Sequence, residues 1–118
     1  MRAALYLRLS REDGENAESE SIAAQRLFLT DYCEKEGFSI CEVYVDDGFS
    51  GTNFERPSFL RMMRDAQERR FDTIITKDMS RLGRDYIGTG EYIERIFPSM
   101  GIRYIAVSDG VDLSLIHI

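Results

Sequence analysis

The sequence predicts an α/β fold, a mostly parallel, helix-covered sheet of about four to five strands. Two observations lead there. Apolar periodicity alternates between strand and helix signals along the chain, and strands joined by helices need crossovers that cover a parallel sheet on both faces. The chain has 118 residues, the length of one domain, and can bury about two thirds of its unfolded surface around a single core. Hydrophobic residues at 43% and charged residues at 31% fit a globular protein and not a disordered one.

The elements follow in order. Ala3 to Leu9 reads as a strand, and the polar, acidic stretch from Arg11 to Glu20 as a loop. Ser21 to Glu36 reads as a helix with Ile22, Leu29, Tyr32 and Cys33 at helical spacing and Gly37 as its stop. Ile40 to Val45 is a second strand, and Asp46 to Glu55 a loop containing Gly48 and Gly51. Pro57 suits the first turn of a helix that carries Phe59, Leu60, Met63 and Ala66 along one side. Thr73 to Thr76 is a short third strand. Arg84 to Phe97 is helical despite Gly88 and Gly90, with Pro98 and Gly101 ending it, and Ile102 to Val107 is the fourth strand.

Composition excludes several functions. Fifteen basic against 21 acidic residues leave a net charge of −6, so the chain as a whole is no free-standing DNA-binding patch. The apolar run in Met1 to Ser10 is short and cut by Arg8, too little for a signal peptide or membrane span; the expected location is cytoplasmic, with no membrane partner. Cys33 and Cys41 form no CxxC pair and read as small core residues. With His117 as the single histidine, neither a zinc site nor a Ser-His-Asp triad is expected, and no metal or cofactor.

In parallel sheets functional groups gather beyond the carboxyl ends of the strands. Tyr6, Arg8 and Ser10 are spaced by two and share one face of the first strand. An arginine in a strand that should be apolar on both faces asks for an anion; an edge strand, or pairing with a carboxylate, is the alternative. The third strand leads into Lys77-Asp78-Met79-Ser80-Arg81-Leu82-Gly83-Arg84, where Arg81 and Arg84 make a fork suited to phosphate, although the turn taken alone reads first as a solvated basic turn. The second strand exits through Asp46-Asp47-Gly48-Phe49-Ser50-Gly51. Together the exits place a serine, arginines and an aspartate around one crevice, suited to attack on a phosphodiester whose charge the guanidiniums stabilise.

Tyr6-Leu7-Arg8-Leu9-Ser10, Ser21 to Gln25, Asp47 with Ser50-Gly51, Arg56-Pro57 and Ser80-Arg81-Leu82-Gly83-Arg84 occur in the order seen in the catalytic domain of the serine recombinases, the resolvase/invertase family, which residues 2 to about 112 resemble. The polar loop after Ser10, Ser80 and Asp109-Gly110-Val111-Asp112 are more similar to the large serine recombinases of mobile elements. The resemblance implies a resolvase-like catalytic domain over residues 1–112 and a truncated or foreign tail over 113–118. It implies that Ser10 attacks DNA to form a 5′-phosphoserine linkage, with Arg8, Arg81 and Arg84 holding the scissile phosphate. Asp47, Arg56, Gln25 and Tyr6 match positions that support the site, and Ser50 matches a hydroxyl close to it. Resolvases and invertases usually carry aspartate where Ser80 stands. The implied partners are double-stranded DNA, through the full-length protein, and further copies in a homodimer and tetramer, with little or no activity in the isolated piece. Two other readings stay open: a receiver-like binding module built on Asp46, Asp47 and Lys77, and a catalytically silent fragment.

Overall fold

Arg2–Leu9 forms β1, whose residues Ala3 to Arg8 are all buried. Burial on both faces marks an interior parallel strand. The computed structural model describes residues 2–9, 21–48, 55–83 and 86–113. In it β1 lies between β2 (Ser39–Asp47) and β3 (Thr73–Thr76), followed by β4 (Arg103–Ala106) and β5 (Val111–Leu113), in the order β2-β1-β3-β4-β5. The first four strands run parallel, and β5 pairs antiparallel with β4, with Leu113 opposite Tyr104. This is the predicted class of sheet. β5 itself falls outside the strands predicted, since three residues are too few to show alternation.

Helix α1 (Ile22–Glu36) starts on Ser21, whose Oγ accepts from the Ala24 amide at 3.1 Å, and stops at Gly37, whose φ of 78° suits glycine. Its buried stripe is Gln25, Leu29 and Cys33, so a glutamine heads the apolar face. Cys41, expected in the core, is exposed on the edge strand β2. Helix α2 (Pro57–Gln67) has Pro57 in its first turn and buries Phe59, Met62 and Ala66. Leu60, expected on that stripe, is half exposed, because the i, i+3, i+7 spacing from Phe59 passes it by.

A short helix α3 (Met79–Leu82) follows β3 and was not predicted. The helix expected from Arg84 runs as α4 (Tyr86–Glu91), a π-helical turn at Tyr92–Ile96, and α5 (Phe97–Ser99). Pro98 therefore lies within the last turn, not after it. The wider turn, in which the Phe97 amide donates to Tyr92 O, carries the chain into a residue that could not extend the α ladder.

Two cores flank the sheet. Ala3, Leu5, Ile75 and Ile105 pack with Leu29 and Cys33 of α1. Ala4, Tyr6, Ile74 and Tyr104 pack on the other face with Phe59 and Met62 of α2, Leu82, Ile93 and Phe97. The strands part at one place. β1 pairs with β2 as far as Leu9 opposite Asp47, with a register shift between Ala3 and Ala4, whereas its pairing with β3 ends at Leu5 opposite Ile75. That parting lies where the strand order reverses, the position at which open α/β sheets form crevices.

Candidate active site

Beyond Leu5 no strand among the described residues pairs with the β3-facing edge of β1, and side chains bond to it instead. Arg8 O accepts from Gln25 Nε2 at 3.1 Å and from Arg81 Nη1 at 3.3 Å. In return Arg8 Nε donates to Arg81 O at 3.2 Å, and its Nη2 to Ser80 O. Arg8, Arg81 and Gln25 are all buried. Burial pulls the Arg81 guanidinium below its usual value, yet a guanidinium stays charged at neutral pH. Arg8 is thus neither on an edge strand nor on a solvated face: it is a buried cation on an interior strand.

A third arginine comes from α2. Arg56, also buried, donates from Nη1 to Tyr6 Oη at 2.8 Å and from Nη2 to Leu82 O, and its guanidinium lies 4.9 Å from the Phe59 ring centre. Tyr6 Oη donates onward to Asp46 Oδ2 at 2.9 Å. Burial, opposed by the Arg56 charge and reinforced by Asp46, pushes the Tyr6 hydroxyl far above the usual tyrosine range.

Asp46 carries more than sequence reasoning assigned to it. Helix α2 has Arg56 at its N-cap with no side-chain cap, and Asp46 supplies the missing acceptor, taking the Ser58 amide at 3.0 Å and the Phe59 amide at 2.9 Å. The signal was available: on β2, Asp46 shares parity with buried Tyr44, facing α2, whereas Asp47 has the opposite parity. With Asp46 buried and held by three donors, the acidic pocket of a receiver-like module is not formed.

Asp78 is a second carboxylate that sequence reasoning passed over. It caps α3: its Oδ1 accepts from the Arg81 amide at 3.2 Å and from Ser80 Oγ at 2.5 Å, and lies 3.8 Å from Arg81 Nε. Thr76 Oγ1 donates to Asp78 O at 2.8 Å and lies 2.7 Å from Tyr104 Oη, which ties the turn to the sheet. Asp109, from the turn after β4, accepts from the Met79 amide at 2.7 Å.

Of the residues singled out in the sequence, Tyr6, Arg8, Gln25, Arg56 and Arg81 come together in this crevice. Asp47 is exposed at its rim, opposite Leu9. Ser10, Ser50 and Arg84 lie outside the described residues, as does His117. A cavity of about 870 Å³ lies along α3 and α4, lined by Ser80, Gly83, Ile87, Thr89 and Ile93 among others; none of the three buried arginines lines it. Among the described residues no helix is long and apolar enough to cross a membrane.

Comparison with known proteins gives the arrangement its context. The family described as "Resolvase, N terminal domain" matches residues 3–114. The N-terminal catalytic domain of TP901-1 integrase superposes with a TM-score of 0.86 at 30% identity, covering 95% of this chain and 81% of that one. A resolvase family site-specific recombinase from Streptococcus pneumoniae gives 0.78 at 25% identity, covering 95% and 75%. Uncharacterized immunity region protein 3 of Bacillus phage phi105 is 34% identical over 64 residues, 54% of this chain and 77% of that protein. The fold is that of a site-specific serine recombinase catalytic domain. The chain belongs to the resolvase family.

Proposed function

We propose that this domain cleaves and rejoins DNA through Ser10. The serine Oγ attacks the scissile phosphorus, the bond from phosphorus to O3′ breaks, and the serine proton ends on the departing 3′ hydroxyl, leaving a 5′-phosphoserine linkage. Attack of a 3′ hydroxyl on that linkage reverses the step and rejoins the strand. Arg8, Arg81 and Arg84 hold the non-bridging oxygens, where charge spreads in the transition state. Gln25 holds the main chain before Ser10, Asp47 and Ser50 border the crevice, and Tyr6 and Arg56 brace it from within. The reaction runs in a homodimer or tetramer assembled on double-stranded DNA.

The observation that carries this reading is the reciprocal hydrogen bonding of Arg8 and Arg81 at the parting of β1 and β3, two residues before Ser10. It supports a crevice in which donors resting on main-chain carbonyls are handed to a phosphate when DNA enters. The test is a suicide duplex with sulfur in place of the scissile O3′, incubated with the recombinase in the presence of EDTA, followed by mapping of the adduct. Attachment to Ser10 is expected. Attachment through Tyr6, or an absolute need for magnesium, overturns the proposal, because guanidiniums here supply the charge stabilisation that a metal provides elsewhere.

A further inference from the structure

The cavity along α3 and α4 holds about 870 Å³, a size typical of small-molecule sites. Its walls are largely apolar, from buried Ile93 to Ile87, which is 80% exposed. Two side chains break that lining. Thr89 is only 4% exposed, and its Oγ1 has no hydrogen-bond partner. A buried helical threonine can return its hydroxyl to a carbonyl one turn back, and a buried polar group left unmet is rare. Glu94 is exposed on the rim and makes no ion pair among the described residues, while its neighbour Arg95 is engaged by Glu91 at 2.7 Å. Gly90 keeps the space between them open, since a first side-chain carbon placed there meets no atom outside its own stretch of helix within 4 Å.

We infer that this cavity is a binding site for a small apolar amine carrying a hydroxyl at its far end. The apolar body lies against Ile87 and Ile93, where it takes hydrocarbon out of water. The ligand hydroxyl exchanges a hydrogen bond with Thr89 Oγ1, and the ammonium meets the Glu94 carboxylate at the rim. Thr89 and Glu94 stand little more than one turn apart along the helix, so one short molecule spans both. The site is separate from the crevice, because none of Arg8, Arg56 and Arg81 lines it. It does not depend on the proposed cleavage chemistry.

Three matched molecules test it: tyramine has this pattern, phenethylamine lacks the hydroxyl, and 4-ethylphenol lacks the ammonium. Each is titrated into the 118-residue chain without DNA, and amide NMR shifts are followed. Tyramine should give saturable shifts concentrated at Ser80, Gly83, Thr89, Gly90 and Ile93, with a dissociation constant of about 1 mM. It should bind roughly 3- to 10-fold more tightly than phenethylamine, the worth of one hydrogen bond. Over 4-ethylphenol the advantage should be about 2- to 5-fold at low salt, the worth of an exposed ion pair. Thr89→Val keeps the shape and removes the hydroxyl, so it should erase the first preference and leave the fold no less stable. Glu94→Gln should erase the second. Gly90→Leu occupies the space and should abolish binding of all three. Should Thr89→Val fail to fold, the wild-type comparison of tyramine with phenethylamine still reads the hydroxyl, and Gly90→Leu the place. No saturable shift at the cavity up to about 10 mM, equal binding of the three molecules, or tyramine binding unaltered by Gly90→Leu overturns the inference.

Discussion

Arg8 and Arg81 each donate from the side chain to the other's main-chain carbonyl, at 3.2 and 3.3 Å, although 73 residues separate them in sequence. The exchange binds the end of β1 to α3 where no strand pairing joins them. It holds two buried guanidiniums at the end of β1, and burial there disfavours the charged form of Arg81.

The two arginines should therefore separate from Ser10 in a cleavage assay. On the proposed mechanism, Ser10→Ala removes the attacking oxygen and should abolish the covalent adduct while synapsis persists. Arg81→Ala or Arg8→Ala keeps the hydroxyl and loses a transition-state donor, a cost on the order of 3 kcal/mol and a hundredfold or more in rate. Quantified adduct formation on the suicide duplex checks both. Wild-type rates in either arginine variant contradict the assignment.

Tyr6 is the joint of the second network, donating to Asp46 and accepting from Arg56. Tyr6→Phe deletes one hydrogen bond from each of two buried charged groups and should destabilise the domain by about 2 kcal/mol. Urea denaturation monitored by circular dichroism measures this directly. A loss below about 0.5 kcal/mol, the range of an ordinary surface change, would show that the network relaxes around the missing hydroxyl.

Alkali should find the same weakness. Burial is the leading cause that raises Tyr6, Tyr44 and Tyr104 above the ordinary tyrosine value of 10.0. The folded chain then keeps these protons after the unfolded chain has released them. Their contribution is fully present below the unfolded value and is lost as pH rises through it towards the folded values. At about pH 11 each such group removes about 1.4 kcal/mol. The urea midpoint should hold steady to about pH 9.5 and fall steeply above it, with tyrosinate absorbance of these groups appearing only as the fold is lost. A midpoint flat beyond about pH 11 rules this out.

DNA affinity should be poor in this chain by itself. With a net charge of −6 and Arg8, Arg56 and Arg81 buried, its overall field does not favour a polyanion. Fluorescence anisotropy with an arbitrary duplex should give a dissociation constant of about 10⁻⁵ M or weaker near physiological salt, weakening further as salt rises. Tight, sequence-specific binding under those conditions disproves the expectation.

Much of the fold is visible in local pattern. The continuous apolar run of β1, the β-branched Thr73–Thr76, Ser21 and Gly37 around α1, and Pro57 at the head of α2 each act within a few residues of themselves, and the structure places each where its chemistry requires. Elements too short for a period escaped: α3 has four residues and β5 three. Pro98 misled because the π-helical turn before it lets the helix continue, and that turn leaves no mark in apolar spacing.

The sequence by itself determined the class of sheet, the parity that sets Tyr6 and Arg8 on one face, and the presence of arginines at two strand exits. Tertiary structure alone decided which partners those side chains meet. Asp46 and not Asp47 turns inward, because β2 parity and the uncapped start of α2 draw it there. Arg56 folds into the domain under Tyr6 and over Phe59, joining residues 50 apart in sequence. Local periodicity states which face a residue occupies. Which group stands opposite depends on how far β1 and β3 stay in register before they part, and that distance is set by the packing of the whole sheet.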